Sequence, residues 1–184
     1  RALRRALRLA PSAPAWRLLA QIDNEARRHH DALMAIEQAL ASATESGEYL
    51  PIKATILRNL SRYEEALAIQ QARVEEVPSD PDAWNELGLT LDYLNRLPEA
   101  EAAFNRAITC LQQQGTMAKQ ANAGHAPTVL TQAQMSRLYQ VRFNRTLNLL
   151  KQGRFDLGWR EYACRWDCRD QHLRQLFVMP AWQG

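Results

Sequence analysis

The stretch Trp84-Asn85-Glu86-Leu87-Gly88-Leu89-Thr90-Leu91, followed by Ala100, Phe104 and Ala107, decides how this chain reads. Trp84, Leu87, Gly88 and Leu91 recur at helical spacing and make one apolar stripe. Stepping back 34 residues finds Ala54, Leu57 and Ala66 in matching roles, with Pro78-Ser79-Asp80 as the turn that follows. Stepping back 68 from the first stretch finds Trp16, Leu19, Ala20, Ala32, Ile36 and Ala39. Self-similarity at a fixed period of this length marks a stacked-repeat architecture.

The pattern has a physical logic. Each unit reads as two antiparallel helices joined by a short turn. Gly88, Ala54 and Ala20 stand where two helix backbones approach, as do Ala100, Ala66 and Ala32 on the second helix. Phe104 and Ile36 fill the space between the pair. One pair cannot bury its own apolar faces, so neighbours must stack on it. Asn95-Arg96-Leu97-Pro98 is the turn inside the best unit, with Pro98 tolerated in a first helical turn. Pro78-Ser79-Asp80-Pro81-Asp82 and Pro11-Ser12-Ala13-Pro14 separate units and offer capping side chains.

The expected organisation follows. Residues 1–12 are the remnant of a preceding repeat, so the chain reads as cut from something longer. Three units span 13–114, divided at about 13–46, 47–80 and 81–114. The middle unit is the weakest, because Pro51 delays its first helix and Gln70 and Arg73 stand at usually apolar places. Residues 115–138, polar and rich in Gln and Ala, read as an insertion, part loop and part helix. A fourth, divergent unit covers 139–167, with Phe143, Thr146, Leu149 and Leu150 on its first helix and the turn Lys151-Gln152-Gly153-Arg154. Residues 168–184 form a linker to a downstream domain.

Trp84-x-x-Leu87-Gly88 with Ala100-x-x-x-Phe104 resembles the tetratricopeptide-repeat (TPR) consensus, with Leu91 in place of the usual Tyr. The resemblance implies an all-α fold, a TPR-type α-solenoid in which antiparallel helix pairs wind into a right-handed superhelix. It also implies a binding scaffold, with ligands on the concave face lined by the first helix of each unit. A second resemblance covers Gly153-Arg154-Phe155-Asp156-Leu157-Gly158-Trp159-Arg160-Glu161-Tyr162, Arg165-Trp166 and Pro180-Ala181-Trp182-Gln183-Gly184. This part looks like the last repeat and linker of bacterial TPR proteins that continue into a glycosyltransferase-like domain. The alternative function it implies is a non-catalytic arm that presents acceptor proteins to a catalytic domain beyond residue 184.

The flank of each first helix away from its apolar stripe holds the candidate ligand-binding residues. They are Arg17, Gln21 and Asn24 in the first unit, with Glu25 beside them; Thr55, Arg58 and Asn59 in the second; and Asn85, Leu89, Asp92 and Tyr93 in the third, after Asp82. Amides and charges beside a tyrosine suit an extended peptide. Arg17, Arg58 and Asn85 only sketch the carboxylate-holding arrangement of some TPR domains, and no Lys joins them. Of the Asn ladder that lines certain sugar-transferring TPR proteins, only Asn144 stands at the matching place. Trp159, Tyr162 and Trp166 form an aromatic stripe that reads either as packing against Phe143 or, with Trp182, as a surface for docking a further domain.

Other function classes find no footing. No Ser-His-Asp or Cys-His set, phosphate loop or paired-carboxylate motif stands out, so no catalytic residue and no cofactor are expected. Cys164, Cys168 and His172 fall at four-residue steps but lack a fourth metal ligand. With 46% hydrophobic and 23% charged residues the chain is an ordinary globular one. No apolar run approaches the ~20 residues of a membrane span. Residues 1–40 carry seven basic and four acidic groups, 41–110 six and twelve, 111–184 ten and four. This is no continuous basic stripe for nucleic acid; the acidic middle could instead steer a basic partner. Three cysteines make no disulfide framework, so a reduced, cytoplasmic setting is expected. The expected partners are a protein or peptide, and another copy of the chain through open solenoid ends.

Overall fold

The computed structural model describes Leu7, residues 12–121 and residues 131–164. All regular structure among them is helical. Helices α1 (Ala13–Glu25), α2 (His29–Ser42), α3 (Leu50–Asn59) and α4 (Tyr63–Glu76) belong to one compact unit ending at Pro78. Helices α5 (Pro81–Tyr93), α6 (Leu97–Ala121), α7 (Gln132–Lys151) and α8 (Phe155–Glu161), closed by a 3₁₀ turn at Tyr162–Cys164, belong to a second unit beginning at Ser79.

Local chemistry sets the helix starts. Pro14, Pro51 and Pro81 stand in first turns, where the missing N–H costs nothing. The Asp80 carboxylate accepts from the Asp82 N–H at 2.9 Å and caps α5. A reciprocal capping box opens α7: the Thr131 hydroxyl accepts from the Gln134 N–H, and the Gln134 side chain accepts from the Thr131 N–H.

The turn inside each helix pair is built the same way four times. Arg27, Ser61, Asn95 and Gly153 adopt left-handed backbone, with φ of 59°, 61°, 59° and 75°. The next residue is an arginine each time, and its N–H donates back across the turn. The pairs are Arg28 to the Asp23 carbonyl (2.8 Å), Arg62 to Leu57 (2.9 Å), Arg96 to Leu91 (2.9 Å) and Arg154 to Leu149 (3.1 Å). Bonds from Arg27 to Asn24, Ser61 to Arg58, Asn95 to Asp92 and Gly153 to Leu150 complete a Schellman closure that satisfies the terminal carbonyls. Three of these left-handed residues carry a side chain, which costs more than glycine there.

Inside the units the repeat equivalences hold. Ala20, Ala54, Gly88 and Thr146 are buried on the first helices. Ala32, Ala66, Ala100 and Gly158 are buried on the second. A Cβ placed on Gly88 would lie 2.6 Å from the Phe104 ring, so nothing larger than glycine fits without displacement. Gly158 packs against the Leu150 side chain in the same manner. Phe104 and Ile36 are fully enclosed. Gln70 takes the same seat in the middle repeat and is 4% exposed, with neither amide atom bonded to protein. Trp16 and Trp84 share an equivalent, half-buried place, and the Arg106 guanidinium lies 6.0 Å from the Trp84 ring centre.

Around the expected insertion, α6 continues through Ala121 and α7 starts at Gln132. Leu111 to Gln114 and Met117 to Ala121 are good helix formers, against which Gly115 alone costs about 1 kcal/mol. Residues 1–6 and 8–11 of the expected remnant and all of 168–184 lie outside the described residues; Leu7 is buried.

Candidate functional site

The first helices bring their outward flanks together within each unit. In the first unit the Asn59 amide donates to Asn24 Oδ1 at 2.9 Å, and His29 Nδ1 lies 2.9 Å from the same oxygen. Asn24 and Asn59 thus join α1 to α3. Arg17 reaches Glu48 at 3.9 Å, while its buried Nε finds no acceptor. The Thr55 hydroxyl donates to the Pro51 carbonyl of its own helix at 3.1 Å. Gln21 and Arg58 are half-buried.

In the second unit the flank of α5 is bound to α7. The Asn144 amide donates to Asn85 Oδ1 at 2.9 Å, and Gln140 donates to Asn144 Oδ1 at 3.2 Å. Asn148, fully buried, donates to Asp92 Oδ1 at 2.8 Å and accepts from Gln152 at 2.7 Å. Lys151 pairs with the other Asp92 oxygen. Arg137 meets Asp82 at 2.8 Å. Glu101 accepts from Gln152 at 3.1 Å and from Arg154 at 2.7 Å. Asn85 and Asp92, expected to face a ligand, therefore also carry the repeat-to-repeat link. Leu89 lies half-buried beside them, and Tyr93 is 58% exposed.

These bonds use part of the segregated charge. The acidic groups of α5 and α6 meet basic groups from α7 and the turn after it: Asp82 with Arg137, Asp92 with Lys151, Glu101 with Arg154. Sequence reading missed Gln140, Asn148 and Lys151. The signal was available, because adding the 24-residue insertion to the 34-residue period gives an offset of 58 and sets α7 in register with α5.

Trp159 is 61% exposed and stands edge-on to Tyr162, with ring centres 5.3 Å apart. Tyr162 is half-buried, 6.1 Å from the Phe143 ring. Trp166 and Trp182 lie outside the described residues. Cys164 sits 3.9 Å from the Thr146 hydroxyl, and Cys168 and His172 lie outside the described residues. Burial pushes the Cys110 thiol above its ordinary pKa. Among the described residues no group of three His, Cys, Asp or Glu is placed to hold a metal, and no helix is long and apolar enough to cross a membrane.

Helix pairs of this length, closed by matching turns and packed on small residues 34 apart, define a TPR-type helical-repeat fold. Solved structures agree. MamA aligns with a TM-score of 0.63 at 14% identity, covering 94% of this chain and 88% of that one. YrrB, described as a TPR protein with an unusual peptide-binding site, aligns with a TM-score of 0.58 at 19% identity, over 95% of this chain and 78% of its own. The Sgt2 TPR domain from Aspergillus fumigatus aligns with a TM-score of 0.51 at 17% identity, over 76% and 82%. At these identities the likeness is one of fold. No family model and no curated protein sequence matches the chain. None of the three structures is described as linked to a glycosyltransferase, so that resemblance rests on its residues alone.

Proposed function

We propose that this chain is a protein-interaction scaffold that takes an extended peptide or protein segment along the concave face made by its first helices, above all the face shared by α5 and α7. One observation carries the reading. Asn85, Asn144 and Gln140 form a joined row of side-chain amides flanked by exposed Tyr93 and Leu147. Among the described residues the Asn85 NH₂ and the Gln140 carbonyl have no protein partner. A row ending in a donor and an acceptor matches the alternating donors and acceptors of an extended main chain. Tyr93, Leu89 and Leu147 would take apolar side chains beside it. The peptide-binding site named for YrrB, a fold relative, supports this class of ligand.

The acids bordering this row are already paired, so recognition would rest on neutral groups. Binding would then respond weakly to salt, because exposed unpaired charges supply most of that response. The test selects peptides from a displayed random library with the full chain and measures their affinity by fluorescence anisotropy. Tyr93→Ala and Asn85→Ala should each weaken binding about tenfold, the loss of roughly 1.4 kcal/mol. Undiminished binding by both variants would remove the face from consideration.

A further inference from the structure

The repeat at 139–161 differs from the one before it at the surface a following repeat would cover. Phe155 and Trp159 are 56% and 61% exposed, large apolar groups of the kind that mark interfaces. Fifty-eight residues earlier their equivalents are Leu97 and Glu101. Glu101 accepts from Gln152 and Arg154 of the following repeat, whereas Trp159 at the same place offers an indole ring and an N–H. The face therefore continues an interface that exists inside the second unit, but asks for an apolar cover with an acceptor.

The first repeat presents such a cover. A groove of about 350 Å³ lies between α1 and α2, lined by Trp16, Leu19, Met34, Ala35 and Gln38, with Asp23 and Asp31 toward one end. Its lining is overwhelmingly apolar, and Met34 on its rim is 62% exposed. Asp23 is buried and bonded to Arg28, whereas the Asp31 side chain, also 4.0 Å from Arg28, is 37% exposed and lies nearer the rim. A buried indole needs an acceptor for its N–H, and the Asp31 carboxylate at the groove is such a group.

We propose that copies of this chain join head to tail, the Trp159 ring of one copy entering the Trp16–Met34 groove of the next. Such an interface is heterologous: each copy donates one surface and receives on another, so association passes beyond a symmetric pair into a ring or an open chain. It uses none of the α5–α7 amide row, so peptide binding and self-association stand or fall separately.

Light scattering and sedimentation of the 184-residue chain, from micromolar to millimolar concentration, should show average mass rising without a plateau at two. Trp159→Ala and Met34→Glu should each stop growth; both positions are exposed, and circular dichroism would verify that the variants stay folded. An equimolar mixture of the two variants retains one good donor and one good acceptor, and should form pairs that grow no further. A chain that stays monomeric throughout would overturn the proposal. So would a dimer that Trp159→Ala abolishes and Met34→Glu leaves intact, which would mean a symmetric contact. Growth seen only after residues 165–184 are removed would also overturn it, by making that segment the occupant of the Trp159 face.

Discussion

Gly88→Ala pits two effects of known size against each other. In an exposed helix the change stabilises by about 1 kcal/mol, since alanine holds helical backbone better than glycine. Here the new methyl would lie 2.6 Å and 2.7 Å from two Phe104 ring carbons, against the ~3.5–4.0 Å at which carbons rest. Phe104 is fully enclosed, so its ring cannot swing aside into water. Overpacking of this kind costs roughly 1–3 kcal/mol. The steric term wins, and a net loss of about 1 kcal/mol is expected in urea unfolding followed by circular dichroism. Phe104→Leu removes the obstructing ring edge and alone should cost about 1.5 kcal/mol. Combined, the two changes should cost at least about 1 kcal/mol less than their sum, because the shorter side chain makes room for the methyl. Gly47→Ala, where nothing lies within 4 Å of the added carbon, is the control and should be close to neutral. A stabilised Gly88→Ala variant, additive with Phe104→Leu, would refute the close approach on which the repeat assignment depends.

Gln70→Leu should stabilise by about 1–2 kcal/mol in the same assay, since it removes two unbonded amide atoms from a site only 4% exposed. Ser61→Gly should gain about 0.5 kcal/mol by relieving a left-handed side chain, while Gly153→Ala, at φ 75°, should lose about 1 kcal/mol. Hydrogen bonds from Arg62 to Glu65 and from Arg96 to Glu99 hold both carboxyls below the usual glutamate range. A depressed folded pKa means the stability they add is present above the unfolded value and is lost as pH falls through that range. Arg62→Gln combined with Arg96→Gln should therefore flatten the acid side of the stability profile, though modestly, since both pairs face solvent. Alkylation with mass mapping should find Cys110 slower than Cys164, because burial keeps the Cys110 thiol protonated and covered.

Much of the fold could be read from residue types alone. Gly88 opposite Phe104 is a size match that leaves a mark in sequence, and so are Ala20 with Ala32 and Ala54 with Ala66. The turns were partly visible through Asn95 and Gly153, residues that tolerate left-handed backbone. Arg27 and Ser61 carry no such signal, because packing on both sides imposes the conformation against their own preference. The Arg28, Arg62, Arg96 and Arg154 series repeats in the sequence, but its part in closing the turn runs through the backbone N–H, which every residue except proline has. The site was harder to read. Asn85 and Asp92 have the polarity of ligand contacts and also that of inter-helix links, and polarity cannot say which. Only their distances to Asn144 and Asn148, across 59 and 56 residues of chain, show the second use.

The bond from Asn148 to Asp92 also guards the order in which repeats assemble. A chain of look-alike hairpins invites mispairing, since any one could nestle against the wrong neighbour during folding. Asn148 has no solvent to fall back on, and Lys151 beside it carries a positive charge. Seated against the middle hairpin, this pair would meet Arg58 where Asp92 belongs, setting cation against cation and leaving an amide stranded. Against the earliest hairpin it would meet Asn24, which brings no compensating charge. One aspartate, unlike its counterparts in the sister repeats, works as an address label that lets look-alike parts find their place in line.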